Sequence, residues 1–154
     1  MSHWIERLVE LAQHLGASYA DVRFVDRSSE FVQLWDGKIE ELLNHQSLGL
    51  GVRVIVNGAW GFSGCSDLQQ GEKAVAEAVQ IAQQSARVQR KKVVLKPIEV
   101  IRDRWETPAN KALKDVSVQE RVALLMAADQ EMARVKGVTQ RKASMGFYLT
   151  DQIF

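Results

Sequence analysis

Residues 48–63 read Leu48-Gly49-Leu50-Gly51-Val52-Arg53-Val54-Ile55-Val56-Asn57-Gly58-Ala59-Trp60-Gly61-Phe62-Ser63. Asn-Gly between two extended runs predicts a two-residue hairpin, because a type I′ turn needs positive φ at both central residues. That turn sets the register: Val56 opposite Ala59, Ile55 opposite Trp60, Val54 opposite Gly61 and Arg53 opposite Phe62. Side chains alternate along a strand. Val52, Val54 and Val56 therefore share one face, assigned to the core. The other face carries Arg53, Trp60 and Phe62, where the guanidinium can lie against either ring as a cation–π contact.

Working toward the N-terminus, Asp36-Gly37 repeats the device between 31–35 and 38–43. Ala20, Val22 and Phe24 alternate with Asp21, Arg23 and Val25, which reads as a further strand. Together these runs predict an antiparallel meander of about five strands. Trp4, Leu8, Leu11 and Leu15 recur at helical spacing with Ile5 and Ala12 beside them, and Gly16 can take the left-handed conformation that ends a helix. A second helix is expected from Ser66 or Asp67, each with a glutamine three residues on (Gln69, Gln70). Its stripe is Leu68, Val75, Ala78, Val79 and Ala82, whose alanines suggest close packing on the sheet.

The composition changes after residue 86. Residues 87–104 hold seven Lys or Arg and two acids. This reads as a basic linker, with Arg87, Arg90, Lys91, Lys92 and Lys96 as a candidate basic patch able to touch phosphates. Trp105 comes later, so the window lacks interleaved aromatics, and a solvated linker is the favoured account. Ser117-Val118-Gln119-Glu120 is a capping box opening a third helix. Its expected face is Val118, Val122, Leu125, Ala128, Met132 and Val135, with Gly137 ending it. Residues 138–148 look extended. The last residues include apolar Phe147, Tyr148, Ile153 and Phe154, with no polar tail, which suggests a piece of a longer protein.

The expected fold class is thus α+β and two-layered: an antiparallel β meander packed by two helices, then a linker, a third helix and a terminal strand. The expected organisation is 1–86 as an N-terminal domain and 87–116 as a basic extended segment. Residues 117–154 then form a helix and extended piece leading into an absent C-terminal domain.

The 154 residues are 46% apolar and 25% charged, with a formal charge of +1. That excludes wholesale disorder and a globally basic nucleic-acid binder. One cysteine, Cys65, excludes an intrachain disulfide and a multi-cysteine metal site. No apolar run approaches the roughly 18 residues of a membrane helix, and no signal peptide is visible, so a cytoplasmic protein is expected. His3 and His14 sit eleven residues apart, about 16 Å along a helix, too far to hold one metal; His45 stands near a strand end. Cys65 precedes the second helix, where a thiol pKa can fall, but a small buried turn residue is the favoured reading. Gly49, Gly51, Gly58, Gly61 and Gly64 match no phosphate-binding motif. They suit sheet curvature, or a place where an extended peptide adds as a strand. Motifs alone reveal no catalytic residue and no metal ligand. The candidate contacts for a partner or peptide are Arg53, Trp60, Phe62 and Trp35.

Three segments resemble the TldD/PmbA family. They are Gly16-Ala17-Ser18-Tyr19-Ala20-Asp21-Val22-Arg23; Gly37-Lys38-Ile39-Glu40-Glu41 followed by Leu48-Gly49-Leu50-Gly51-Val52-Arg53-Val54-Ile55; and Asn57-Gly58-Ala59-Trp60-Gly61-Phe62-Ser63. In order and spacing they are similar to the family's N-terminal pattern of GA-x-x-AD-x-R, G-x-G-V-R-V and G-x-W-G-F. The match is clear over about residues 16–85. The resemblance implies zinc-dependent peptidases acting on peptides or unfolded proteins as homo- or heterodimers of related subunits, with names that also link them to modulation of DNA gyrase. It implies an N-terminal domain of helices and antiparallel strands before a larger β-rich domain. The family's zinc motif, His-Glu-x-x-x-His, has no counterpart here, so no metal or catalytic residue carries over. Zinc is expected only in the parent, if that parent is the catalytic subunit type, and this chain is expected to be inactive alone. The alternative is a non-catalytic interaction module using residues 87–104 toward a protein or nucleic acid, with nucleic acid the less favoured partner and no membrane contact.

Overall fold

Asn57 and Gly58 take φ of 52° and 83° in the computed structural model, and Asp36 and Gly37 take 46° and 75°. Both expected type I′ hairpins therefore form. The structure describes residues 2–97, 99, 101–112 and 115–154; the remaining positions of the expected segment 87–116 lie outside the described residues. The elements are α1 (Ser2–His14), β1 (Tyr19–Trp35), β2 (Lys38–Val56), β3 (Ala59–Cys65), a 3₁₀ turn (Leu68–Gln70), α2 (Gly71–Val88), α3 (Val118–Ala133) and β4 (Lys142–Ile153). The sheet order is β3-β2-β1-β4. The class is α+β with an antiparallel sheet, helices and a terminal strand.

The strand count differs from the expected five. Residues 20–25 and 31–35 are parts of one strand, β1, and 38–43 and 48–56 are parts of another, β2. The polar runs between them, 26–30 and 44–47, are not turns. Ser29 Oγ donates to the His45 carbonyl at 3.4 Å, and Gln46 Nε2 donates to Asp26 Oδ1 at 3.4 Å. Polar side chains thus link the two strands where the hydrophobic alternation lapses, with no glycine or proline there to break them.

The chain divides into two compact units. The first comprises Met1–Arg27, Gln46–Ile98 and Thr150–Phe154. β2 pairs β3 in the predicted register, Val56 with Ala59, Val54 with Gly61 and Arg53 with Phe62. Val52, Val54 and Val56 are buried, as are Val22 and Phe24 from β1. α1 contributes Ile5, Leu8 and Ala12 to the same core. Leu15, expected on that stripe, is 41% exposed because it lies beyond the helix end, just before Gly16 at φ 97°. α2 buries Gly71, Ala74, Val75, Ala78, Val79 and Ala82. Burial of a side chain such as Leu8 contributes roughly 1.5–3 kcal/mol.

One local expectation needs correction. Asp67 caps the 3₁₀ turn, accepting from Gln69 N at 3.0 Å, and α2 itself starts at Gly71 with no side-chain cap bond. Gly61 lies under α2: a Cβ there would stand 1.9 Å from the Ala78 carbonyl oxygen. This glycine therefore serves close helix–strand packing.

The second unit comprises Ser28–His45 and Glu99–Leu149. The Ser117–Glu120 capping box forms as predicted. The buried side of α3 is Arg121, Leu125 and Asp129, with Val122 and Met126 partly buried on Val32 and Leu34. Of the expected face, Leu125 is buried and Val118, Val122 and Met132 are half-buried, but Ala128 is exposed while Asp129 beside it turns inward, and Val135 lies beyond the helix end. Charge pairing decides this. Arg121 Nη1 lies 2.9 Å from Glu30 Oε2, and its guanidinium stacks 4.5 Å from the Phe147 ring centroid. Asp129 Oδ1 accepts from Arg141 Nε at 3.1 Å. The two buried ends of the stripe are thus ionic, and periodicity of apolar residues does not see them.

Among the described residues no helix is long and apolar enough to cross a membrane.

Candidate functional site

The face of the first unit's sheet opposite Val52 and Val54 is open. A groove of about 460 Å³ runs over it, lined by Asp21, Arg23 and Val25 of β1, Gly49, Leu50, Gly51 and Arg53 of β2, and Phe62 of β3. Period-two alternation places Asp21, Arg23 and Val25 on one side of β1. Gly49 and Gly51 leave the floor without side chains, and the Phe62 ring stands against Gly51, 3.6 Å from where a Cβ would be. Phe62 is 64% exposed although it is a large aromatic.

At one end of the groove four side chains form a cluster. Asp21 Oδ2 accepts from Arg53 Nε at 2.7 Å and from the Tyr19 hydroxyl at 2.9 Å. The Arg53 guanidinium also lies 5.0 Å from the Trp60 ring centroid, and Tyr19 meets Trp60 edge-on at 5.8 Å. The hydrogen bond to Asp21 raises the Arg53 pKa further. Burial, then the hydrogen bond to Asp21, raises the Tyr19 phenol above its usual range. Beside them, Arg23 lies 5.1 Å from the Phe154 ring centroid. The groove thus offers a flat glycine floor, an aromatic wall and both signs of charge.

Of the predicted contacts, Arg53, Trp60 and Phe62 gather on this face. Trp35 does not join them; it belongs to the second unit, where Lys142 Nζ stands 5.8 Å from its ring centroid. Tyr19, Asp21 and Arg23 were not singled out from the sequence. The alternation of 20–25 with the hairpin register was the signal that could have found them.

The basic candidates Arg87, Arg90, Lys91, Lys92 and Lys96 are all exposed, and none has an ion-pair partner among the described residues. The segment is tied at one point to the β2–β3 turn: Gly58 O accepts from Val93 N at 2.8 Å and from Gln89 Nε2 at 3.0 Å. The Lys92 stem packs there, 2.7 Å from the position of a Gly58 Cβ.

The reactive residue types are dispersed. Burial and the charges of Asp67 and Glu77 push the Cys65 thiol up, the opposite of an activated nucleophile. His3 lies 3.6 Å from Glu6, His14 Nδ1 donates to the Glu10 carbonyl at 2.7 Å, and His45 is on β2. Among the described residues no three His, Cys, Asp or Glu stand together as a metal site. Zinc chemistry needs three or four converging ligands, so these side chains do not fit a zinc centre.

Residues 20–82 match the family model for PmbA/TldA metallopeptidase domain 1. Residues 20–82 are thus similar to the N-terminal domain of the TldD/PmbA family. It is 29% identical over 134 residues to Metalloprotease MJ0996 of Methanocaldococcus jannaschii, a match that covers 86% of this chain and 29% of that protein. Two solved structures share the fold. TM0727 of Thermotoga maritima MSB8, a proposed modulator of a DNA gyrase, matches with a TM-score of 0.68 at 17% identity, covering 99% of this chain and 37% of that one. TldE of Thermococcus kodakarensis matches with a TM-score of 0.68 at 12% identity, covering 97% and 34%. The chain thus spans about a third of the length of these relatives.

Proposed function

We propose that this chain is the N-terminal, non-catalytic part of a zinc-dependent peptidase of the TldD/PmbA type, and that it walls the path of a peptide or unfolded segment. The zinc and its ligands then belong to polypeptide outside residues 1–154, and the chain is inactive alone. The parent works in the cytoplasm as a homo- or heterodimer of related subunits. The observation that carries this reading is the Asp21–Arg53–Phe62 groove with its Gly49–Gly51 floor. A floor without side chains admits an extended backbone, and an aromatic wall with flanking charges gives weak hold on many sequences. The relatives' names as metallopeptidase and metalloprotease supply the reaction class.

The test has two arms. The 154-residue chain is titrated with zinc and assayed on an unfolded peptide; neither stoichiometric zinc nor cleavage is expected. In the full-length parent, Phe62→Ala should raise KM about tenfold with kcat little changed, the signature of lost uniform binding. Stoichiometric zinc together with cleavage by the short chain would overturn the assignment.

A further inference from the structure

β3 ends at Cys65, opposite Leu50 of β2. β2, however, begins at Lys38, and among the described residues it is flanked in the sheet by β1 and β3. In the second unit, residues 38–45 therefore form an edge strand with no strand on their outer side among the described residues. The Asp36–Gly37 turn shows which backbone groups point outward. In a two-residue hairpin the flanking residues Trp35 and Lys38 form a hydrogen-bonded pair, and bonded and non-bonded pairs alternate from there. The Gln33–Glu40 side-chain hydrogen bond at 2.5 Å agrees with that register. The N–H and C=O groups of Ile39, Glu41 and Leu43 therefore face away from β1.

This edge lacks most of the usual protections. Natural edges are blunted by proline, bulges, lysine or a covering element. Residues 38–45 contain no proline, and the one lysine, Lys38, sits beside the turn. Ile39, Leu42 and Leu43 are 48%, 52% and 52% exposed. The remaining charges are acidic. Glu40 and Glu41 occupy opposite faces by alternation, and Glu41 has no ion-pair or hydrogen-bond partner among the described residues. Acids on both faces disfavour pairing with an identical edge and favour a strand carrying basic residues.

We propose that residues 38–45 are a strand-addition site for an extended, proline-free segment of another polypeptide that alternates apolar and basic side chains. Main-chain hydrogen bonds to Ile39, Glu41 and Leu43 supply the affinity, and the acids select the charge. This site is separate from the groove and does not depend on peptidase activity.

The probe is a dye-labelled eight-residue peptide of alternating leucine and lysine, titrated into the 154-residue chain, with a leucine–glutamate peptide as comparison. Saturable binding of the first, at least tenfold tighter than the second, is expected. Hydrogen exchange should show new protection at the amides of Ile39, Glu41 and Leu43. Glu41→Pro removes one outward donor without touching a bond to β1, and should weaken binding about tenfold. Leu43→Lys, which leaves the backbone intact, should weaken it as well. Equal binding of the two peptides, unchanged protection of these amides, or full affinity in both variants would overturn the proposal. So would sedimentation showing that the free chain self-associates through this edge.

Discussion

Asp21 Oδ2 and Arg53 Nε lie 2.7 Å apart, and the same carboxylate oxygen accepts the Tyr19 hydroxyl. One acidic side chain on β1 thus orients a cation on β2 and a phenol on its own strand. Half-exposed ion pairs of this kind contribute little stability by themselves. Their effect is to hold Arg53 across Trp60 at the mouth of the groove.

The first prediction concerns pH. The folded chain raises the Tyr19 pKa above its ordinary 10.0, chiefly through burial and secondly through the Asp21 hydrogen bond. The folded state therefore keeps this proton after the unfolded state has lost it. The associated stabilisation is complete below pH 10.0 and is lost as pH rises through the folded-state value. Ultraviolet titration of Tyr19 in a Tyr148→Phe background should give a value above 10.0, and Asp21→Ala should bring it down. No movement in Asp21→Ala would break the link between the two groups.

Gly61→Ala should be severely destabilising. Its Cβ would meet the Ala78 carbonyl oxygen at 1.9 Å and Ala82 N at 2.6 Å, both backbone atoms of α2. Overpacking costs about 1–3 kcal/mol where side chains can move, and a backbone obstruction leaves no such relief, so about 3 kcal/mol or more is expected. Urea unfolding followed by Trp fluorescence measures it.

Arg121 is buried, and its Nη1 is close to Glu30 at 2.9 Å without good hydrogen-bond alignment. Glu30→Ala leaves that guanidinium inside without a counter-charge, held by the Phe147 ring and the Ser117 carbonyl that accepts from its Nε at 3.3 Å, at a cost of about 3–5 kcal/mol. Arg121→Met in the same background should recover most of the loss, because an apolar side chain can occupy the space over Phe147. A double-mutant cycle in urea decides; additive losses would remove the pair from the account.

The cap of α3 gives an acid-side prediction. Glu120 is held below the usual carboxylate range, first by the Ser117 backbone N–H and then by the Lys111 side chain. Its contribution is present above the unfolded pKa and is lost as pH falls through the depressed folded value. Amide exchange in the first turn of α3 should accelerate there, and Ser117→Ala should cost about 1 kcal/mol at neutral pH.

Cys65 should be a slow nucleophile. Burial, Asp67 and Glu77 all hold its thiol protonated. Alkylation by iodoacetamide at neutral pH should proceed more slowly than with free cysteine, and Asp67→Asn with Glu77→Gln should accelerate it. A faster rate than free cysteine would contradict the geometry.

Much of the local structure was legible in the residues. Asn57-Gly58 and Asp36-Gly37 demanded type I′ turns, and the first of these dictated that Arg53 meet Phe62 and Ile55 meet Trp60. The apolar stripes of α1 and α2 followed from local spacing, as did the Ser117–Glu120 cap. All of these depend on residues close together in the chain, where backbone sterics and side-chain period leave few choices. Tertiary structure decided the rest. That β1 and β2 continue through polar stretches depends on bonds such as Ser29 to His45, sixteen positions away. That α3 turns Arg121 and Asp129 inward depends on Glu30, Phe147 and Arg141, which arrive from distant strands. Even the open edge at 38–45 exists only because β3 stops at Cys65 opposite Leu50. Polar pairing over long separations carries no periodic signature, so only the folded chain reveals it.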